Sequence, residues 1–206
     1  MREALGGQPA IHFDGNRQFL QLNGQILLNG NYNLLTVIAI VTDDSADGGH
    51  REIISNWRAP DRTTSSVFLG TTGDGQIRFS DQFVEAGVLD QLSPPTILTA
   101  VNSHFDATVY QNHRLLGQRK ALQEFDFNAP YVIGTQGSLG GEDWHGDIAE
   151  LLVYGRALSE TECETVWSYL ASRYSLVVRE PLGNRQLALA SLCHVLLSTN
   201  EFIYVD

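Results

Sequence analysis

A chain of 206 residues with 43% hydrophobic content has the size and composition of one globular domain with extensions, too short for two ordinary domains and a linker. Its 24 acidic residues outnumber 13 basic ones, Lys120 is the single lysine, and the formal charge is −11. That balance excludes general nucleic-acid binding and docking on anionic lipid, both of which need a basic surface.

Taken in chain order, Ile11–Gly15 followed by Phe19–Leu22 alternates apolar and polar residues around an Asp-Gly-Asn turn, which predicts a hairpin. Leu34–Val41 is β-branched and almost wholly apolar, so it reads as a core strand covered on both faces. The acidic stretch from Asp43 to Gly49 is a loop by composition. Short strands follow at Glu52–Ser55, Ser66–Leu69 and Gln76–Ser80, the last with Ile77 and Phe79 on one face. Thr96–Asn102 and Ala107–Gln111 are two more, Asn112–Gly117 turns the chain, and Tyr131–Gly134 precedes a glycine-rich loop, Gly137–Gly141. Strands of this length, separated by turn signals roughly ten residues apart, predict an all-β antiparallel sandwich or jelly roll.

Asp147–Tyr154 is the last predicted strand. Ser159 and Glu162 then form the two ends of a capping box, and Val166, Trp167, Leu170 and Tyr174 give the following helix an apolar stripe. Beyond Pro181–Asn184, the residues Leu189, Leu192, Cys193, Leu196 and Leu197 recur at helical spacing and predict a second helix, packed on the sandwich or on a partner. The two cysteines, Cys163 and Cys193, each fall in a predicted helix. They are too few for a disulfide framework and match no zinc spacing, so they read as buried thiols, with one bridge between the helices as the alternative. No apolar run is long enough to cross a bilayer, and MREALGGQPA lacks the apolar core of a signal peptide.

IHFDGNRQFLQL (11–22), LLTVIAIVT (34–42), YVIGTQG (131–137) and WHGDIAELLVYGRALSETECETVWSYLASRY (144–174) resemble, in kind and order, the laminin G-like, concanavalin A-type lectin/glucanase superfamily. The resemblance implies a two-sheet jelly roll over about residues 8–176, with one or two C-terminal helices and a helical tail at 177–206. It also implies recognition of carbohydrate or protein. The tail LALASLCHVLLSTNEFIYVD (187–206) is similar to the end of an uncharacterised domain closing long planctomycete proteins that carry cytochrome c-type domains. Cys193-His194 lacks the earlier cysteine of a haem-binding C-x-x-C-H, so no haem is expected. That likeness implies a cell-envelope or extracellular setting.

Candidate chemistry is sparse. Retaining glucanases need two neighbouring carboxylates. His145–Glu150 carries Asp147 and Glu150 but a histidine where the superfamily's strand has its first Glu, and Glu124–Asn128 lacks the last acid. Neither is complete, which predicts a non-catalytic module, with a hydrolase as the competing reading and a purely structural module as the third. Asp43, Asp44 and Asp47 share one loop and are the calcium candidates, since hard cations want clustered oxygens; no other cofactor is expected. For a glycan or another protein domain as partner, the candidate contacts are Trp57, Trp144 and His145. Trp57 follows a strand and is expected to be exposed, whereas Trp144 stands where the family carries a core aromatic.

Overall fold

Two antiparallel sheets face one another in a computed structural model that describes residues 2–23, 34–44, 49–57, 66–73, 75–80, 82–83, 95–121, 131–137 and 140–176. One sheet runs, in spatial order, β1 (Arg2–Leu5), β2 (Gln8–Asp14), β13 (His145–Tyr154), β4 (Leu35–Val41), β9 (Thr96–Asn102), β10 (Asp106–Gln111) and β11 (Arg114–Lys120). The other runs β3 (Leu20–Leu22), β12 (Tyr131–Ile133), β5 (Arg51–Ser55), β6 (Phe68–Thr71), β7 (Ile77–Phe79) and β8 (Gln82–Phe83). A single helix among the described residues, α1 (Glu160–Arg173), follows β13. It is too short to cross a membrane, and no helix among those residues is long and apolar enough to do so.

All seven residues of β4 are buried, because alternate side chains enter different cores. Leu35, Val37, Ala39 and Val41 point between the sheets, where they meet Ile53, Ile54, Leu69, Ile77, Phe79 and Tyr131. Ile38 and Ile40 point the other way and join Ile97 and Val101 of β9 under α1, against Leu158, Cys163, Trp167, Leu170 and Tyr174. The helix thus covers the outer face of the seven-stranded sheet. Its buried stripe is Cys163, Trp167, Leu170 and Ala171, with Val166 only partly buried at the flank.

The approach of the helix is pinned by hydrogen bonds to β4 and β9. Thr36 Oγ1 donates to the Arg156 carbonyl at 2.9 Å and accepts from the Leu158 amide at 2.9 Å. Trp167 Nε1 donates to Thr99 Oγ1 at 2.9 Å inside the apolar layer, and the rings of Tyr110 and His113 pack against the same indole. At the helix start, the Ser159 side chain accepts from the Glu162 amide while Glu162 reaches back to the Ser159 amide, so the expected capping box is present. Burial pushes the Cys163 thiol up to about 11, with nearby acidic side chains adding to the effect, which makes it an unreactive apolar filler. Cys193 and the predicted second helix lie outside the described residues.

Two local readings of the sequence are corrected. Residues 11–22 do not form a hairpin: β2 pairs with β1 and β13, while β3 pairs with β12 in the opposite sheet. The Gly15 amide donates to the Trp144 carbonyl instead of closing a turn between paired strands. The segment after Asn112 is not only a turn, since β11 continues from it as an edge strand paired to β10. Its seven residues are mostly exposed and carry little apolar signal, which is how an edge strand escapes a hydrophobicity reading.

Four of the described strands, β1, β5, β11 and β13, carry an extra residue, and two of these bear on the charged side chains. Register shifts between Ile148 and Glu150 in β13 and between Glu52 and Ile54 in β5. Gly146, just ahead of the first shift, has φ 147°, and a Cβ there would stand 2.1 Å from the Thr42 carbonyl oxygen, so only glycine fits.

Because Trp167 fills the helix–sheet layer, Trp167→Ala is expected to cost about 3–5 kcal/mol in urea unfolding. Thr99→Val, which leaves the indole N–H unpaired, should cost about 1–3 kcal/mol. A Trp167→Ala loss below about 1 kcal/mol would contradict a load carried by this layer.

Candidate functional site

The carboxylates singled out on β13 are both engaged by structural partners. Asp147 stands opposite His12 on β2 and accepts at 3.0 Å from His12 Nδ1, while its amide donates to Thr42 Oγ1. Glu150 accepts from the Tyr174 hydroxyl at 2.7 Å and lies 3.6 Å from Arg173 Nε. Burial first, and Glu150 second, push the Tyr174 hydroxyl up to about 12. Both carboxylates are on the helix side of the seven-stranded sheet, tying the helix end and β2 to β13. Glu124 and Asp126, the other half-motif, lie outside the described residues.

The aromatic and histidine candidates do not converge. Trp144 is fully buried between the sheets, so its role is packing, and its indole Nε1 has no hydrogen-bond partner. His145 is half-buried opposite Asp14, and its carbonyl accepts from the Asp44 amide at 2.8 Å. Trp57 is half-buried just beyond β5, its amide donating to Ser55 Oγ. Of the calcium candidates, Asp43 accepts from Arg51 Nε at 3.2 Å, Asp44 is exposed, and Asp47 lies outside the described residues. Among the described residues, no three His, Cys, Asp or Glu side chains group as a metal site.

A different constellation occupies the outer face of the six-stranded sheet. Alternation turns Ile77 and Phe79 of β7 inward and Arg78 outward; Glu52 of β5 and Phe68 of β6 share that outer side. The guanidinium of Arg78 sits 4.5 Å from the centre of the Phe68 ring, a cation–π contact. Its Nη1 donates to Glu142 Oε2 and lies 3.5 Å from Glu52 Oε1. Glu52 itself is fully buried, and neither of its oxygens has a hydrogen-bond partner.

Glu142 arrives from the connection between β12 and β13, which folds back over β5. The Glu52 amide donates to the Glu142 carbonyl at 2.9 Å. At the other end of β5, Gly137 rests on the backbone of Asn56 and Trp57, where a Cβ would be 2.5 Å from the Trp57 carbonyl oxygen. Thr135 Oγ1 bridges the Gly141 carbonyl at 3.1 Å and Asp143 Oδ1 at 2.6 Å, and Gln136 Nε2 donates to the Gly140 carbonyl. Glu142 adopts φ 54°, a left-handed backbone that a non-glycine residue takes at a cost of about 1 kcal/mol or more. Its contacts to Glu52 and Arg78 hold it there.

Burial, reinforced by the adjacent Glu142 carboxyl, raises Glu52 well above the usual carboxylate range, against the opposing pulls of Ser55 and Arg78. Two carboxylates this close, with one guanidinium between them, are best accommodated when one keeps its proton. The array therefore offers an acid, a carboxylate and a paired cation within one patch. Sequence reading did not find it, because its three members come from separate segments. A charged residue inside each of the apolar runs Glu52–Ser55 and Ile77–Phe79 was the available signal.

The fold has solved counterparts. Over 77% of this chain and 81% of the other, it superposes on the native heptameric SAP-like pentraxin from Limulus polyphemus with a TM-score of 0.57 and 19% identity. Domain 4 of AbnA, a GH43 extracellular arabinanase from Geobacillus stearothermophilus in complex with arabinotriose, gives 0.57 at 15% identity, covering 74% and 73%. The fold is a concanavalin A-like jelly roll. The CBM40 of a Ruminococcus gnavus IT-sialidase, bound to α2,3-sialyllactose, gives 0.53 at 12% identity, covering 69% and 95%. No family model and no curated protein matches the sequence, so neither the laminin G-like assignment nor the likeness of the tail gains support from them.

The Glu52 proton has a stability consequence. The unfolded chain releases it near 4.5, whereas the fold retains it to higher pH, so the folded state holds the extra proton within that window. Its contribution is present below the lower value and lost as pH rises through the raised one. Urea midpoints should therefore fall as pH rises from about 4.5 through the raised value, and Glu52→Gln should flatten that slope; an unchanged slope in the variant would place the titration elsewhere.

Proposed function

We propose that this chain is a non-catalytic recognition module for carbohydrate, contacting its ligand along the loop that folds over β5. The observation carrying this reading is the Glu52–Arg78–Glu142 array, set on the face that also carries the loop seated against Trp57. Sugar recognition needs planar groups with fixed acceptors and donors beside an aromatic surface, and a rigid, hydrogen-bonded loop presents them at low entropic cost. Glu142, Asp143 and Gln136 are partly exposed along that loop, and Trp57 is half-buried at its far end. The solved counterparts with bound saccharide, the arabinanase domain and the sialidase CBM40, support the same reading at the level of fold.

The hydrolase reading draws on one specific observation, a protonated carboxyl beside a second carboxyl. Against it, Glu52 is fully buried and Arg78 occupies the space between the pair, whereas a retaining mechanism needs a sugar seated between groups about 5 Å apart. A calcium ion on the loop of Asp43, Asp44 and Asp47 belongs to the same proposal only as a modulator, since Arg51 already engages Asp43.

A glycan array probed with and without calcium should give binding in at least one condition. Trp57→Ala should weaken it about tenfold or more, as expected for a stacking aromatic. Incubation with laminarin should release no reducing ends. Binding to no glycan in either condition would sink the lectin reading, and released reducing ends would overturn the non-catalytic one.

A further inference from the structure

The charges along the loop point to a ligand class. We infer that the site takes uncharged glycans and rejects sialylated, uronic and sulfated ones, an inference resting on the carbohydrate reading above. Two acidic side chains, Glu142 and Asp143, are partly exposed on the described part of the loop. The cation beneath them, Arg78, is held by Glu142 and stands on the Phe68 ring. Arg51, at the start of β5, is engaged by Asp43. An incoming carboxylate or sulfate would have to take Arg78 from a carboxylate that is already in place, and would then sit beside two others. Like charges brought together on a partly desolvated surface cost far more than in open water.

A hydroxyl meets no such obstacle. It donates to a carboxylate without bringing a charge of its own, so it suits the partly exposed Glu142 and Asp143. Beneath them Glu52, fully buried and 3.5 Å from Arg78 Nη1, is a second acidic neighbour already paired with the same guanidinium, so Arg78 is doubly engaged before any ligand arrives. The formal charge of −11 acts in the same direction at longer range, slowing the approach of anionic glycans at low salt.

The test is an array printed with neutral oligosaccharides and with sialylated, uronic and sulfated relatives built on the same cores, probed with the full chain at low and high salt. Neutral members should bind about tenfold tighter or more than their acidic counterparts, and the gap should narrow as salt rises. Glu142→Gln should narrow it further, with Asp143→Asn as the second variant should the first lose its melting transition. Acidic members bound as well as their neutral cores would overturn the charge inference and leave the carbohydrate reading standing. A gap unmoved by salt and by both variants would overturn it as well, because selection would then be by shape. No binding to any member would overturn the carbohydrate reading and this inference with it.

Discussion

β4 has no face left for water, and most of the molecule follows from that constraint. One side of the strand is closed by the second sheet and the other by α1, so the seven-stranded sheet is stable only where the helix lies on it. A strand this apolar, left open on one face, would be an invitation to aggregate. The links from Thr36 to the helix approach and from Thr99 to Trp167 are the polar fasteners inside that apolar layer. They convert non-directional burial into one helix orientation, because a misplaced helix would leave buried donors unpaired.

The six-stranded sheet solves the same problem differently. Its outer face carries a guanidinium, two carboxyls and an aromatic ring, and its cover includes a loop rather than a helix. An ionic cluster in such a place adds little net stability, since desolvation consumes much of what pairing returns. Its value is positional: it holds Glu142 in a backbone conformation that the residue would otherwise avoid. Strain of this kind, kept at a surface loop beside partly exposed polar groups, is the physical argument for proposing recognition there and not on β13.

Legibility in the sequence followed locality. The capping box at Ser159 and Glu162, the doubly buried β4, and β9 at Thr96–Asn102 were all readable because each depends on neighbours in the chain. The pairing of β2 and β3 with different sheets was not, since a hairpin and a sheet-to-sheet crossing begin with the same turn residues. β11 was missed because an edge strand needs no apolar alternation. The carboxylates of β13 were visible as a pattern, but their partners, His12 and Tyr174, lie 135 and 24 residues away. The Glu52–Arg78–Glu142 array is the extreme case. Its members are individually unremarkable and acquire meaning only when three segments meet.

The extra residues in β13 and β5 act as phase shifters. Before its shift, β13 sends Ile148 between the sheets; after it, Leu151 and Val153 do so, while Leu152 and Tyr154 face the helix. With an unbroken period of two, Glu150 would enter the apolar interior and the alternation beyond it would invert. In β5 the same device lets Ile53 and Ile54 both point inward, leaving Glu52 outside to meet Arg78. Each carboxyl thus owes its position to a one-residue slip in strand parity rather than to its own chemistry. The outer-face array and the helix anchor are therefore set by backbone counting: were either strand to pair along its full sequence with an unbroken period of two, an acid and an apolar side chain would exchange faces with no change of composition at all.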